Sequence, residues 1–259
     1  MMNNDRTKIG TFDLLGMFWR AFFIQASWSF ERMQALGFAY ALEPVIRKLY
    51  PNNDAYEARL SLHLEYFNTQ PYLASFILGA CARLEQDRAS GLNPSADTSG
   101  LKSALMASLG ALGDSFFWGA LKPLCAAIAV AALLGGVWWA PFLYLVLYNI
   151  WHVGLRAGVL YWGFQSSGNP VLLLSRFNFP RMARRFKAIT LSVVGGVLGA
   201  LFFHRPELRP AASSALITAI SGFSLSLALV AVLRRGGSPV KLMLGLAGVC
   251  LLLAYSGVV

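Results

Sequence analysis

The chain has 259 residues, of which 56% are hydrophobic and 13% are charged, and its formal net charge is +10. This composition lies outside the range of soluble globular domains and is typical of membrane proteins. Residues 1–100 carry nine basic and ten acidic side chains, whereas residues 101–259 carry thirteen basic and two acidic ones. Because the basic part is also the most apolar part, we expect a lipid bilayer as partner and no nucleic acid.

The cysteines and histidines give no indication of a metal site, a cofactor or a catalytic constellation. The three cysteines lie in apolar surroundings and lack a C-x-x-C spacing, which predicts buried thiols and no disulfide. The three histidines are scattered, without an acid or a cysteine at motif spacing. His63 is interpreted as a structural, hydrogen-bonded residue, because no phosphoacceptor context surrounds it.

The first third of the chain is predicted to form amphipathic helices that lie in the membrane plane. Apolar residues recur at helical spacing in Phe12–Phe23, and a second amphipathic segment, Phe30–Tyr50, is expected to break at Pro44. The segment Pro71–Leu84 is shorter than the roughly 20 residues that cross a hydrocarbon core, so a re-entrant arm is predicted. The N-terminus lacks the pattern of a secretory signal and is expected to be cytoplasmic.

Five apolar segments follow, and their flanks set the expected topology. They are Lys102–Gly136, Val137–Phe164, Ala188–Phe203, Ala212–Leu233 and Val240–Val259. Glycines, a carboxylate and a proline interrupt the first of them, which predicts a discontinuous helix. Basic stretches between the later segments are expected to be cytoplasmic, and the C-terminus is then expected outside.

These patterns predict an all-α integral membrane protein with N-terminal amphipathic in-plane helices, re-entrant and discontinuous helices, and several transmembrane helices. Two parts are expected. Residues 1–100 hold the amphipathic helices, the connectors and the first re-entrant arm, and residues 101–259 hold a transmembrane core with the discontinuous helix around Asp114.

Asp114 is the most informative single residue, because it lies within an otherwise uncharged apolar stretch. A carboxylate in such surroundings is costly unless it is partnered or functional. With Trp118 on the same helix face, it suits a sugar, whose paired hydroxyls bind a carboxylate and whose apolar face stacks on an indole. The alternative, compatible with the first, is that Asp114 N-caps a helix that begins at Ser115.

Polar residues in two earlier stretches are further candidates. Asn68 and Gln70 lie just before Pro71, which biases Gln70 away from helical geometry and favours either ligand contact or ordinary helix capping. Glu31 and Arg32 are adjacent, so on a helix they point about 100° apart and need separate partners. Those partners lie in another subunit, or the two residues belong to a solvated amphipathic face.

Three motifs make the chain resemble a known family. They are Gln25–Phe38, His63–Pro71 and Gly113–Gly119. Together they resemble the IID component of the mannose/fructose/sorbose family of phosphoenolpyruvate-dependent sugar phosphotransferase systems, over most of the chain and in order. Two departures stand out: a short stretch, His204–Ser213, between the last helices, and Ser115 where a proline is usual in the family.

The resemblance implies a non-catalytic membrane subunit that pairs with a IIC subunit, as a trimer of IIC–IID pairs. Such a pair moves a hexose or amino sugar inward while cytoplasmic IIA and IIB components relay phosphate through histidines. The chain itself is then not phosphorylated. The resemblance also implies a multi-pass location in the bacterial inner (cytoplasmic) membrane.

Six residues are expected to bind the sugar, to gate its passage or to contact IIC. Asp114, Asn68 and Gln70 are placed at the sugar site or its IIC interface. Trp118 is expected to stack on the sugar. Glu31 and Arg32 are expected to act as interface or gating residues. The alternative is an assembly scaffold for IIC with no sugar contact of its own, and a membrane hydrolase is a third possibility.

Overall fold

The computed structural model describes residues 8–93, 97–166 and 178–204, together with 228, 231–232, 235–236 and 238–255. These residues are helical with short connections and contain no β-strand, so the predicted all-α fold is confirmed. The helices are α1 (Thr11–Ala21), α2 (Ala35–Leu49), α3 (Asn53–His63), α4 (Ala74–Ala89), α5 (Thr98–Gly113), a π-helix (Asp114–Leu121), α6 (Lys122–Leu134), α7 (Ala140–Gln165), α8 (Phe179–His204) and α9 (Pro239–Tyr255).

The chain divides into two compact units, Met1–Gly195 and Gly196–Val259. The second unit contains α9, which is apolar from Val240 to Val249. The predicted segment Ala212–Leu233 lies almost entirely outside the described residues. The boundary between these units differs from the expected division at residue 100. The expected division separates parts by their role, and it stays a prediction.

Two helices of the first unit begin at polar caps. The Asn52 side chain accepts hydrogen bonds from the amides of Asp54 and Ala55 and so starts α3. The Asp97 side chain accepts from the Gly100 amide at 2.8 Å and starts α5. Such caps satisfy amides that have no partner within the helix, and they fix where each helix begins.

Helix α2 continues through Pro44, where the sequence predicts a break. A proline inside a helix cannot donate to the carbonyl four residues earlier, which is that of Tyr40. The Arg20 guanidinium of α1 donates to that carbonyl instead, with Nη1 3.1 Å from the oxygen. The predicted break is wrong because a contact from another helix replaces the missing hydrogen bond.

Helix α4 lies at the centre of the first unit and packs along α7. Every side chain of α4 from Ala74 to Ala82 is buried. Two glycines bring the helix backbones together, since a Cβ on Gly79 would overlap the Leu160 carbonyl and a Cβ on Gly163 would overlap the Phe76 carbonyl. The predicted arm is therefore a helix enclosed by protein, and its re-entrant position in a membrane stays a prediction.

Helix α5, the π-helix and α6 form one continuous helix from Thr98 to Leu134, which is long and apolar enough to span a membrane, as is α7. Where the sequence predicts a discontinuity, the helix changes its winding instead of stopping. Pro123 accounts for the change, because it has no amide to donate to the preceding turn. The backbone rewinds so that the Lys122 amide donates to the Phe117 carbonyl, five residues earlier.

Candidate functional site

The segment that precedes α4 is fixed by one buried glutamine. The Gln34 side-chain amide donates to the Thr69 carbonyl at 2.8 Å and accepts from the Thr69 amide at 3.2 Å. The Thr69 hydroxyl in turn donates to the Met106 carbonyl of α5 at 2.8 Å. These bonds hold the motif residues around Thr69 between the start of α2 and the long helix.

The Gln70 side chain is buried and lies against the long helix. Its side-chain oxygen accepts hydrogen bonds from the backbone amides of Tyr72 at 2.8 Å and Leu73 at 3.1 Å, so both amides just before α4 have a partner. A Cβ on Gly113 would lie 2.6 Å from both Cβ and Cγ of Gln70, so only glycine admits this side chain. Gln70 thus caps the turn that precedes α4, whose own N-cap residue is Leu73. Its side-chain nitrogen has no hydrogen-bond partner among the described residues.

Asp114 follows Gly113 directly and is the first residue of the π-helix. Its φ of −62° and ψ of −44° are helical and its side chain makes no cap hydrogen bond, so the N-cap interpretation is wrong. The side chain is exposed and forms no ion pair or hydrogen bond with any described residue. Within the described part of the chain, this carboxylate of an apolar helix therefore has no partner.

Trp118 lies one turn beyond Asp114 and is also exposed. Its ring centroid is 5.8 Å from that of Tyr72, and the Lys122 ammonium lies 5.1 Å from the indole centroid. Phe116 and Phe117, between Asp114 and Trp118, are buried. The π-helix thus presents the carboxylate and the indole outward while its phenylalanines face the core, as the shared helix face predicts.

The remaining three predicted residues lie on adjoining segments. Asn68 is exposed, and so are Glu31 and Arg32, whose side chains have no hydrogen bond or ion pair within the described part of the chain. The Arg32 carbonyl accepts from the Phe67 amide at 3.4 Å, which joins the two segments. The structure therefore connects all six residues through Phe67–Gln70 and Gly113, with Glu31 and Arg32 at one end and Trp118 at the other.

A polar and aromatic row on α7 was missed by the sequence reasoning. The Tyr72 ring packs against His152 at a tilt of 41° with ring centroids 4.1 Å apart, and the Tyr72 hydroxyl lies 3.0 Å from that of Tyr148. Arg156 donates to the Pro71 carbonyl at 3.3 Å. The available signal was the four-residue spacing of Tyr144, Tyr148, His152 and Arg156, which places polar side chains along one face of an apolar helix.

A second buried polar cluster surrounds Glu85 at the end of α4. Its carboxylate accepts from the guanidinium of Arg59 at 3.0 Å, from the hydroxyls of Thr98 at 3.0 Å and Tyr50 at 2.9 Å, and from the His63 ring at 3.2 Å. The cluster joins α3, α4, α5 and the end of α2. His63 is therefore the buried, hydrogen-bonded residue that was predicted.

The cluster sets the charge of its members. Burial raises the pKa of Glu85, but hydrogen bonds from His63 and Arg59 outweigh it and bring that pKa down to about 2. Burial also lowers the pKa of His63, which outweighs the opposite effect of Glu85. Glu85 is therefore a carboxylate and His63 a neutral donor at neutral pH.

Sequence comparison shows the family. The family described as "PTS system mannose/fructose/sorbose family IID component" matches residues 8–259. The chain is 41% identical over 157 residues to the PTS system mannose-specific EIID component of Escherichia coli (strain K12), which covers 60% of this chain and 56% of that protein. It is 36% identical over 155 residues to the Fructose permease IID component of Bacillus subtilis (strain 168), covering 59% and 54%. The chain thus matches little more than half the length of these curated relatives.

Solved structures share the fold. A chain described as "Structure of membrane protein" aligns with a TM-score of 0.72 at 28% identity, over 96% of this chain and 98% of the other. A chain from the "CryoEM Structure of Mannose Transporter ManYZ and Microcin E492 (MceA) complex" aligns with a TM-score of 0.58 at 26% identity, over 96% and 98%. With a family match over residues 8–259, the chain belongs to the IID components of the mannose/fructose/sorbose family of sugar phosphotransferase systems.

Proposed function

We propose that this chain is the membrane subunit that pairs with a IIC subunit to carry a hexose or amino sugar inward. The observation that carries the proposal is Asp114, an exposed carboxylate without a partner among the described residues, near the middle of a 37-residue apolar helix. Such a group is costly in a membrane unless it binds something. An uncharged ligand with several hydroxyls satisfies the carboxylate by donating hydrogen bonds to it.

The surroundings of Asp114 support a sugar as that ligand. Trp118 offers an exposed indole face one turn away, and Tyr72 extends the aromatic surface beside it. The Gln70 side chain lies against Gly113, and its amide nitrogen is a donor without an acceptor among the described residues. A carboxylate and amides hold paired hydroxyls, while the indole stacks on the apolar face of the ring. Asn68, exposed two residues before Gln70, completes the set at the sugar or at the IIC contact.

In the proposed assembly, three IIC–IID pairs form a trimer, and cytoplasmic IIA and IIB components deliver phosphate to the sugar. Phosphorylation traps the product inside as an anion, and this chain supplies no phosphorylated residue. Glu31 and Arg32 are exposed without side-chain partners among the described residues, which leaves them available to the IIC subunit as interface or gating residues.

The proposed location is the bacterial inner membrane, with several crossings, a cytoplasmic N-terminus and a C-terminus outside. Basic residues are retained on the cytoplasmic side of a membrane. The start of α8 supports this orientation because it carries exposed cations just before an apolar stretch. These cations are Arg181, Arg184, Arg185 and Lys187.

The test is sugar binding by the detergent-purified IIC–IID pair across a panel of hexoses and amino sugars, with wild type and Asp114→Asn compared at equal assembly. The proposal expects loss of binding, because the amide cannot replace the carboxylate as a double acceptor. Asp54→Asn, an exposed aspartate on α3, is the matched control and is expected to bind as wild type. Unchanged binding in Asp114→Asn would remove this chain from the sugar site.

The scaffold alternative is favoured by a different observation, the exposed aromatic surface of α1 and the turns after it. Such a surface suits contact with another membrane protein. Under this alternative, Asp114→Asn weakens co-purification with IIC and leaves the sugar bound per assembled pair unchanged. The same experiment therefore separates the two functions when binding is normalised to the amount of IIC recovered.

A further inference from the structure

An aromatic face covers one side of the first unit, formed by α1, the turns after it and the start of α2. Phe30 is 96% exposed, and ring contacts join Trp19 to Phe22 and Phe23 to Tyr40. A groove of about 360 Å³ crosses this face, lined by Phe23, Ala26, Ser27, Leu36, Gly37 and Tyr40. Exposed apolar surface of this kind marks contact with another protein or with lipid.

Arg156 of α7 lies directly beneath this face. Its guanidinium carbon is 4.5 Å from the ring centre of Phe22 and 5.3 Å from that of Tyr72, and the residue is 3% exposed. One nitrogen, Nη2, donates to the Pro71 carbonyl at 3.3 Å. Nε and Nη1 are buried and have no acceptor among the described residues. The two rings attract the charge but accept none of these hydrogen bonds in full.

Arg20, at the same face, shows what a satisfied guanidinium looks like in this protein. It lies 4.6 Å from the Tyr40 ring centre, donates to the Tyr40 carbonyl at 3.1 Å and pairs with Glu43 at 3.4 Å. Arg156 has the aromatic contact and the carbonyl but no carboxylate partner among the described residues. A buried charge without a counter-charge strongly destabilises a protein, so a missing anion is indicated.

We propose that a carboxylate of the IIC subunit, set among apolar side chains, docks on the aromatic face and pairs with Arg156. This inference rests on the proposed IIC–IID pairing and names the contact that anchors it. Phe22 covers the guanidinium at the end of α1 and is itself 36% exposed, so a rotation of its side chain opens the path. The incoming carboxylate accepts from Nε and Nη1, the paired geometry that arginine prefers.

A side chain from a protein fits this position better than a lipid phosphate. Arg156 lies nine residues before the end of α7, about 14 Å along the helix axis. A lipid headgroup stays at the membrane surface, whereas a partner helix can bring a carboxylate to that depth. The groove beside Phe23 offers space for apolar neighbours of the carboxylate.

The first measurement is the affinity of the full chain for IIC, with Arg156→Gln, Arg156→Lys and wild type compared. Loss of one member of a buried ion pair is expected to raise the dissociation constant by about 30-fold or more. Arg156→Lys, which keeps the charge but not the paired geometry, is expected to fall between the two. Arg83→Gln is the matched control, because Arg83 pairs with Asp87 within α4, which is not part of the aromatic face, and it is expected to change the affinity little.

The second measurement is the melting temperature of the full chain alone, which separates assembly from folding. If Arg156 awaits a partner, Arg156→Gln melts no lower than wild type, since it removes an uncompensated charge. A melting temperature that falls along with the affinity assigns Arg156 a structural role and overturns the proposal.

Unchanged affinity for IIC also overturns the proposal. In that case, the wild-type chain alone is compared in phosphatidylglycerol and phosphatidylcholine nanodiscs, and a higher melting temperature in phosphatidylglycerol identifies a lipid phosphate as the partner. If the wild-type chains do not associate at all, the proposed pairing itself fails.

Discussion

Glu85 and Arg156 are both buried charges, but their surroundings differ. Four side chains donate to the Glu85 carboxylate, from α3, α5 and the residue that follows α2. Arg156 makes one hydrogen bond, to the Pro71 carbonyl, and keeps two nitrogens without an acceptor among the described residues. A buried charge whose hydrogen bonds are made within the chain stabilises the fold, whereas a buried charge without such partners indicates a partner outside the chain.

The largest expected effect is the removal of the satisfied charge. Glu85→Ala leaves Arg59 without its partner in a partly buried site, and we expect a loss of about 3–5 kcal/mol in the free energy of unfolding. Thermal unfolding of the purified chain, followed by circular dichroism, measures it. Glu57→Ala, an exposed glutamate on α3, serves as control. A loss no larger than that of the control would mean that the cluster adds nothing to stability.

Acid tests the same cluster without a mutation. The folded pKa of Glu85 is about 2, below its ordinary 4.5, so its contribution is complete above pH 4.5 and is lost as pH falls towards 2. The pKa of His63 is lowered from 6.5, so protonation of the unfolded chain begins to reduce stability below about pH 6.5. We expect the melting temperature to decrease in both ranges, with a total loss on the order of 3 kcal/mol.

His63→Gln should remove the upper part of this pH dependence and leave the lower part. Its melting temperature should then fall less steeply between pH 6.5 and 5 than that of the wild type, because glutamine does not titrate. If the melting temperature of the wild type depends on pH no more than that of the variant in this range, the burial of a neutral His63 does not contribute to the pH dependence of stability.

A smaller effect is expected where Gln70 meets the long helix. Gly113→Ala places a Cβ 2.6 Å from buried Gln70 atoms, and we expect a loss of about 1–3 kcal/mol in stability. Gly110→Ala meets nothing nearer than 3.9 Å and should stabilise the helix by up to about 1 kcal/mol. The opposite signs, measured as shifts in melting temperature, separate packing from helix propensity. Equal shifts would contradict the contact between Gln70 and Gly113.

The smallest effect on stability is expected at Asp114. Asp114→Asn removes a charge that has no partner among the described residues, so the melting temperature should stay within error of wild type. The same variant is expected to lose sugar binding, which makes Asp114 the opposite of Glu85. A large drop in melting temperature would place Asp114 among the structural charges instead.

The sequence predicts the class of the fold because apolar length and periodicity are local properties. It also predicts that Asp114 and Trp118 share a face, since spacing on a helix decides this. It does not predict that α2 passes through Pro44, because the replacement donor, Arg20, comes from another helix. Nor does it predict that two nitrogens of Arg156 have no acceptor among the described residues, since tertiary packing decides which acceptors reach a side chain.

The close approach of α4 and α7 has a mechanical consequence. Where two helices touch backbone to backbone at Gly79 and Gly163, neither can slide or rotate past the other without severe overlap. We therefore expect α4 and α7 to move as one rigid body throughout any transport cycle. In the proposed transport cycle, a change in the side of the membrane to which the proposed sugar site opens must then come from the elements around this pair. A disulfide-locked α4–α7 variant that still transports would agree with this expectation, and one that stalls would contradict it.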